Sequence, residues 1–458
     1  MKLRTLLVST LLPLALSAAT PLTVDEATQL ALQHSKGAQL TRLKSEEARI
    51  EADAARQQRY PRITAFGFGA YAFRPIDLSL REGSLTPALD SLGVDLGLGP
   101  LSPTIGPFPS NDLTLVHGDH LLRFGGLTLL QPLTQQWRIE SGVRAAESAR
   151  LAADRETARA LAEIRVAVEE LFAGILLEEQ RTAQHTARLA FEERRLRDAE
   201  NARTTGEALD DVVLGSQAQR VKAEADLLRS RQQRERLILQ LADLIGQPGT
   251  TEFTLDPALP SRPSRPLDYW LAKVEQNPDA RIAAAVVERA RAGVRAARQA
   301  KIPDVSAFAT GFVQGGLPLA PSTGGTVGLA LTWDVFDFGR RNADIARGLT
   351  RQRAAELDHA RRGEEAAHLI RVTYQDFEHA GEIVALAEQA RAYRRRAFEL
   401  AQQSFRHGLA LESAALEAET HLREAEADVV AAQLQQHVTL LRLHFLVGEL
   451  ETTAVNNR

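Results

Sequence analysis

The stretch Leu129–Leu130–Gln131–Pro132–Leu133 has a counterpart 202 residues later, Leu331–Thr332–Trp333–Asp334–Val335. Outward from these two stretches, Leu127–Gly246 aligns with Leu329–Gly448 at the same offset and without a gap. Each copy is a strand-like run followed by a very long helical pattern that is interrupted once at a glycine. A self-similar period of this length indicates a tandem duplication rather than an array of short repeats.

Composition excludes several classes of protein. The 458 residues carry a net charge of −4, which gives no electrostatic case for nucleic-acid binding. The chain has no cysteine, so it can form neither disulfides nor a thiolate metal site. No run after the N-terminus reaches the roughly 18 apolar residues of a transmembrane helix, so any membrane contact requires strands or an amphipathic surface.

The N-terminus predicts a secretory signal peptide over residues 1–19. Lys2 and Arg4 precede the apolar run Leu6–Leu16, and Ser17–Ala18–Ala19 offers small residues for cleavage. The alternative is an ordinary buried first helix.

Two structural repeats follow. The first, residues 20–266, is predicted to contain a helix (Thr23–Gln58), a β-hairpin (61–133) with a long loop (74–120), a helical hairpin (135–246) and a connecting belt (247–266). The second, residues 267–448, is predicted to contain a helix (Leu267–Lys301), a β-hairpin (303–336) and a helical hairpin (338–447), before a C-terminal tail (449–458). Thr23 and Glu26 have the spacing of a capping box.

The β-hairpins predict four strands: Ile63–Phe73, Leu122–Leu133, Pro303–Gln314 and Thr326–Phe336. Val327, Leu329 and Leu331 alternate with small and polar residues, which is typical of a strand with one apolar face. The proline- and glycine-rich loop 74–120 is absent from the second hairpin. We expect it either to fold over the mouth of a pore or to be disordered.

Very long helices follow each hairpin. Gln135–Arg203 contains no proline, and its length corresponds to about 100 Å of helix; Phe338–Phe405 repeats it. The return helices, Asp210–Ile245 and Glu412–Val447, are about half as long. Apolar residues recur at heptad steps, which indicates coiled-coil contacts, although an ordinary helix bundle uses the same spacing: Leu161, Ile164, Val168, Leu171, Ile175 and Ala427, Ala431, Leu434, Val438, Leu441, Phe445.

These elements predict a mainly α fold with a transmembrane β part. Four strands cannot close alone, and an open sheet edge in lipid leaves unpaired backbone groups that each cost several kcal/mol. Closure therefore requires other chains. Three copies would give about twelve strands in one shared β-barrel, continued by a long α-helical barrel.

At several places the residues resemble TolC-like outer-membrane efflux factors. The opening Leu22–Ala27, the helix-to-strand entries Tyr60–Pro61 and Ile302–Pro303, and the strand-to-helix run Val335–Arg341 are similar to that family's motifs. Within the last run, the resemblance marks Asp337, Gly339 and Arg340 as the junction. The first copy has Leu133–Thr134–Gln135 there instead, so its bend is less well defined.

The resemblance implies a homotrimer in contact with outer-membrane lipid and extending into the periplasm. It implies a passive exit duct of a tripartite efflux or type I secretion system, coupled to an inner-membrane pump by a periplasmic adaptor (membrane fusion) protein. The alternative is a secreted coiled-coil structural protein that spaces or tethers the layers of the cell envelope.

The turns of the two helical hairpins are the candidate docking sites. Gly206 and Gly408 suit a turn with positive φ. By resemblance these turns lie at the periplasmic tip, where Leu209, Leu409 and Leu411 would contact the adaptor. The alternative is a plain helical turn with a buried leucine.

The acids beside these turns are candidates for a gate: Asp210, Asp211, Glu412 and Glu417. Repeated around a trimer, they would form carboxylate rings that favour cations and repel one another. The alternative is acids favoured by the helix macrodipole.

We expect no enzymatic activity, cofactor or metal. The chain contains no metalloprotease, nucleophile-elbow or phosphate-loop motif. His117 and His120 form a candidate metal pair, but loop histidines beside a glycine are more often simply solvated.

Overall fold

The computed structural model describes residues 21–73, 78–116, 119–248, 254–317 and 320–451. The predicted signal peptide and residues 452–458 of the predicted tail lie outside these ranges. The chain is mostly helical, and it divides into two units that are described separately. The sheet unit consists of Glu51–Ala146 and Arg289–Gln352; the helical unit consists of Met1–Ile50, Glu147–Glu288 and Arg353–Arg458.

The described helices are α1 (Val24–His34), α2 (Lys36–Gln57), α3 (Thr86–Asp95), α4 (Ser102–Ile105), α5 (Gln136–Thr204), α6 (Asp210–Ile245), α7 (Leu267–Leu271), α8 (Pro278–Gln299), α9 (Arg340–Arg406) and α10 (Glu412–Leu446), with a short 3-10 helix at Val274–Gln276. The strands are β1 (Arg62–Tyr71), β2 (Leu78–Leu80), β3 (Leu113–Val116), β4 (Leu121–Pro132), β5 (Asp304–Gly315) and β6 (Thr323–Thr332). Within the described residues, no helix combines the length and apolar character needed to cross a membrane.

The sheet unit contains an antiparallel four-stranded sheet in the order β1-β4-β5-β6. Ile63 lies opposite Leu129, Leu129 opposite Ala309, and Ala309 opposite Val327. Both predicted hairpins are therefore present, and they pair through β4 and β5. Among the described residues, no strand covers the outer edge of β1 or β6.

The segment predicted as loop 74–120 contains regular structure where it is described, so disorder was the wrong alternative for these residues. β2 pairs with β3, and α3 and α4 lie between them. Asp112 accepts a hydrogen bond from the amide of Glu82 (2.7 Å), and Asp90 accepts one from the amide of Ser102 (2.6 Å). Proline and glycine mark turns here, but a proline is tolerated in the first turn of a helix, and α3 and α4 each have one there.

The helical unit places its long helices side by side in the order α6, α5, α10, α9. Arg234 of α6 pairs with Glu179 of α5 (3.0 Å), and His437 of α10 contacts Glu169 of α5 (3.2 Å). Gln433 of α10 donates a hydrogen bond to Glu388 of α9. The predicted heptad seams are confirmed as the buried faces, with Val168, Ile175 and Leu441 fully buried.

Two predicted helices are interrupted. Thr23 and Glu26 form the expected capping box, but Ser35 has an extended backbone and separates α1 from α2, and its hydroxyl accepts from the amide of Ala38. The second helix, predicted over Leu267–Lys301, breaks at Asn277 because the residue before a proline disfavours helical geometry.

The last strand and the last long helix differ from prediction at one junction. β6 covers Thr323–Thr332 rather than Thr326–Phe336, and α9 begins at Arg340 rather than Phe338. Phe338 and Gly339 both have positive φ, at 53° and 89°. Such a backbone continues neither a strand nor a right-handed helix.

Candidate functional site

One face of the four-stranded sheet is apolar and open to its surroundings. Val327, Leu329 and Leu331 of β6 are 87%, 70% and 67% exposed. The register places Ile63, Leu127, Leu129, Ala309 and Val313 on the same face. An apolar face of this extent on a soluble monomer is unusual and marks a contact surface.

The opposite face is more polar and also carries aromatic rings. Thr128 and Thr310 share a hydrogen bond at 3.2 Å. Arg138 pairs with Asp304 (3.1 Å) at the end of the sheet from which the helices leave. The two faces therefore differ in chemistry, as expected of strands that separate an apolar from an aqueous environment.

Exposed aromatic residues lie near both ends of the sheet. The end nearest the helices has Tyr60, Trp137, Trp333, Phe336 and Phe338. The other end has Tyr71, which stacks on His120 (centroids 5.5 Å apart), and Phe73. Aromatic side chains at two levels flanking an apolar band are typical of membrane interfaces.

The predicted junction at Asp337 is built by its carboxylate. Asp337 accepts hydrogen bonds from the amides of Gly339 and Arg341, both at 3.1 Å. The hydrogen bond from Arg341, with the one from Gly339 and the nearby arginines, holds the pKa of Asp337 below its ordinary value. The guanidinium that pairs with this carboxylate belongs to Arg341 (3.3 Å), the residue after the predicted junction residue Arg340, and it also contacts Asp334.

The first copy makes the equivalent bend in a different way. The hydroxyl of Thr134 donates to the carbonyl of Pro303 (2.6 Å) and accepts from the amide of Val305 (2.7 Å). Gln136 donates to the carbonyls of Arg59 and Pro132. Thr134 therefore fastens this junction to β5, a role that a search for an Asp–x–Gly run does not detect.

The two turns of the helical hairpins have the expected backbone. Gly206 and Gly408 have φ of 78° and 71°. Leu209, Leu409 and Leu411 are 74%, 81% and 65% exposed, so the alternative of a buried leucine is wrong for this chain. Leu209 and Leu411 occupy the N-cap positions of α6 and α10.

The four predicted gate acids do not form one cluster. Asp210 pairs with Arg203 (3.3 Å), whereas Glu412 pairs with Arg194. These two arginines are nine positions apart on α5, which corresponds to about 13 Å along the helix. Asp211 accepts from the amide of Val212, and Glu417 is exposed. Asp210, Asp211 and Glu412 also lie in first helical turns, as the macrodipole alternative requires.

Metal binding gains no support in the part of the chain that the structure describes. His117 lies outside the described residues, while His120 contacts the carbonyl of Ala72 at 2.9 Å. No group of three or more potential metal ligands occurs among the residues described.

The helices α6 and α9 lie at the two ends of the order α6, α5, α10, α9. Each has an exposed row of apolar residues at heptad steps, which we call its stripe. On α6 the stripe contains Leu214, Val221, Leu228 and Leu239; on α9 it contains Leu369, Val372, Ile383, Leu386, Tyr393 and Leu400. These steps are the ones that bring helices together in coiled coils. Two flanking helices with unused seams indicate further helical partners.

A buried ion cluster was missed by the sequence analysis. Glu169 is 2% exposed and accepts two hydrogen bonds from Arg262 (2.5 and 2.8 Å), and it contacts His437. Burial raises the pKa of Glu169, but the hydrogen bonds from His437 and Arg262 outweigh it, so the pKa is lowered. Arg262 thereby ties the connecting belt to α5. A glutamate within a long Arg/Glu-rich helix gives no signal that distinguishes it from solvated neighbours.

Comparisons with known proteins agree with these features. Residues 273–449 match the family described as Outer membrane efflux protein. No curated protein matches the chain significantly by sequence.

Solved structures match nearly the whole chain. VceC of Vibrio cholerae is 19% identical, with 93% of this chain and 96% of that one covered at a TM-score of 0.70. CmeC of Campylobacter jejuni is 13% identical, with 94% and 87% covered at 0.74. MtrE of Neisseria gonorrhoeae, in its open state, is 18% identical, with 93% and 88% covered at 0.65.

These matches are to outer-membrane proteins and channels rather than to enzymes. The match to the efflux family covers residues 273–449, and the solved structures, each at most 19% identical, show the fold. The chain thus has the fold of these outer-membrane proteins, and residues 273–449 are similar to the outer membrane efflux protein family, in agreement with the resemblance to TolC-like efflux factors.

Proposed function

We propose that three copies of this chain form an outer-membrane exit duct of a tripartite efflux or type I secretion system. The duct is passive, extends into the periplasm, and is coupled to an inner-membrane pump by a periplasmic adaptor protein. The observation that carries the proposal is the four-stranded sheet with two uncovered edges and an exposed apolar face.

The sheet argues for closure by other copies. Its apolar face suits lipid, but each unpaired edge group in lipid costs several kcal/mol. Pairing of β6 with β1 of a neighbour removes both edges, and three copies give about twelve strands. Each β1 strand has ten residues, or about 33 Å of chain, which spans the hydrocarbon core when tilted.

Internal duplication accounts for the matching elements of the two halves. α5 and α9 have 69 and 67 residues, and α6 and α10 have 36 and 35. We infer that each repeat contributes two strands to the shared β-barrel and one long helical hairpin to an α-helical barrel.

The exposed stripes on α6 and α9 support a ring of helices. In the ring, the α6 stripe of one copy packs against the α9 stripe of the next, so Leu228→Lys places a charge in that seam. We expect this variant to dissociate the trimer, as measured by mass in detergent. Gln219→Lys, exposed on α6 but off the stripe, is the control. Loss of the trimer in both variants, or in neither, contradicts the ring.

The rival reading, a tether between envelope layers, does not explain the exposed apolar strands. A tether is extracted by salt or osmotic shock, whereas a duct requires detergent. Purified protein in planar bilayers should give discrete conductance steps. Absence of conductance, even after replacement of the acids beside the turns, would remove the duct proposal.

The turns at Gly206 and Gly408 are the proposed docking sites for the adaptor. Their support is the exposure of Leu209, Leu409 and Leu411. We expect Leu209→Asp with Leu411→Asp to abolish co-purification with a periplasmic adaptor that the wild type retains, while the trimer and its conductance persist. Unchanged co-purification would exclude these leucines.

The acids are proposed to form two levels of carboxylates rather than one ring. Asp210 and Asp211 belong to the level at the end of α5, and Glu412 and Glu417 to the other. Carboxylates lining a narrow duct favour cations. Asp210→Asn with Asp211→Asn should therefore lower cation selectivity, measured as the reversal potential in a KCl gradient. Asp226→Asn on α6 is the matched control, and equal effects would favour the macrodipole reading.

A further inference from the structure

The face of the sheet opposite the lipid-facing residues carries a continuous row of phenylalanine rings. Phe66 of β1 and Phe124 of β4 have centroids 5.6 Å apart, and Phe124 and Phe312 of β5 are again 5.6 Å apart. Three neighbouring strands thus contribute to one row, which we call the aromatic ribbon (Phe66, Phe124, Phe312).

Glycines on the same face make room for these rings. The ring of Phe312 lies over Gly324 of β6, at 2.6 Å from the position that a Cβ would occupy there. The ring of Phe66 lies 2.8 Å from the equivalent position at Gly126. Phe308 repeats the arrangement over Gly328 at 3.0 Å. The rings therefore lie over the strands, and Phe124 remains 39% exposed.

The neighbours of the ribbon on this face are uncharged; Phe68 and Leu122 are apolar, whereas Thr128 and Thr310 are polar. Thr128 and Thr310 bond to each other, and the ion pair of this face, Arg138–Asp304, lies at the end near the helices. In the proposed duct this face lines the lumen, because the other face carries Val327, Leu329 and Leu331. Aromatic rings in an aqueous lumen offer stacking and cation–π contacts.

We propose that the aromatic ribbon is a contact site for small molecules that carry aromatic rings and pass through the duct, with three ribbons around the lumen. This inference rests on the proposed function and narrows its cargo class. A duct for inorganic cations would be expected to have carboxylate oxygens at this level rather than phenyl rings.

The alternative is that the rings only pack over the glycines of the sheet and bind nothing. Substitutions that keep this packing but remove the aromatic rings distinguish the two roles. Phe124→Leu with Phe312→Leu keeps apolar side chains over the glycines but removes the π faces. The control is Leu129→Ala, which alters the lipid-facing side of β4. Each variant is first shown to be a trimer with the unitary conductance of the wild type.

The test is block of conductance in planar bilayers by tetraphenylphosphonium, compared with tetrapentylammonium as an aliphatic cation of the same charge. We expect tetraphenylphosphonium to block the wild type and the Leu129 variant several-fold more tightly, and this preference to disappear in the double phenylalanine variant. Equal block by the two cations in the wild type, or a preference that survives in the double variant, overturns the ribbon as a site. Absence of conductance both in the wild type and after replacement of the acids beside the turns would instead contradict the duct itself.

Discussion

At the scale of single residues, the two junctions show what a motif predicts and what it leaves out. The run around Asp337 and Gly339 predicted a strand-to-helix bend, and the bend is there because a carboxylate accepts two amides ahead of α9. Arg341, next to the junction residue Arg340, pairs with this carboxylate. Two adjacent arginines are equivalent in sequence, and only the direction of the first helical turn decides which one reaches the acid.

Replacement of Asp337 by Asn should lower the melting temperature at neutral pH. The folded-state pKa of Asp337 is lowered, so its stabilisation is present above the pKa of the unfolded chain and is lost as pH falls through the folded-state value. The difference in melting temperature between the wild type and the Asp337→Asn variant should therefore vanish at acid pH. Thermal unfolding followed across pH measures it, with Asp344→Asn, a partly exposed acid in the following helix α9, as control. A difference that persists at low pH would show that the ionised carboxylate is not the cause.

In the buried ion cluster of Glu169, Arg262 and His437, we expect the effects of single substitutions on the free energy of unfolding to be coupled. Arg262→Met leaves the carboxylate of Glu169 buried with only His437 beside it, at a cost of about 3 to 5 kcal/mol. The double variant with Glu169→Gln should be more stable than the single one, because the unpaired charge is gone. Unfolding free energies of the four proteins in this cycle measure the coupling. Strict additivity would mean that Arg262 stabilises the belt by packing alone.

At the scale of elements, strands and long helices were predictable because period and length are local properties of the sequence. Most ends lie within a few residues of prediction, and Asp210–Ile245 agrees at both ends. The short helices within loop 74–120 were not predictable, because contacts between separate segments, such as the one from the amide of Ser102 to Asp90, leave no local pattern in the sequence. Pro278 favours a break at Asn277, but the helical pattern of the flanking residues predicted one continuous helix.

Neighbouring glycines of β4 offer a sharp test of the strand pairing. A methyl group at Gly126 would overlap the carbonyl oxygen of Gly311 and the ring of Phe66, whereas one at Gly125 would lie 3.4 Å from the carbonyl of Phe66. Gly126→Ala should therefore weaken the pairing of β4 with β5 and reduce heat-resistant assembly on gels, while Gly125→Ala should be tolerated. Equal behaviour of the two variants would be evidence against the register.

At the scale of the whole molecule, the sequence predicted a channel-like fold through its duplication and its family motifs. The contact surfaces required coordinates. Exposure of the leucines at the turns, the separate levels of the acids and the free stripes of α6 and α9 depend on which helix faces pack, and heptad spacing alone does not reveal which seam remains unused.

In the proposed duct, several copies share one β-barrel. A single chain leaves the outer edges of β1 and β6 unpaired within the described residues, and it leaves an apolar face of the sheet exposed. Native mass measurement of the purified protein in detergent tests this directly. The predicted result is a particle of three chains that aggregates when detergent is removed. A single 50.1 kDa chain, or its processed form, that remains monodisperse in buffer without detergent would contradict it.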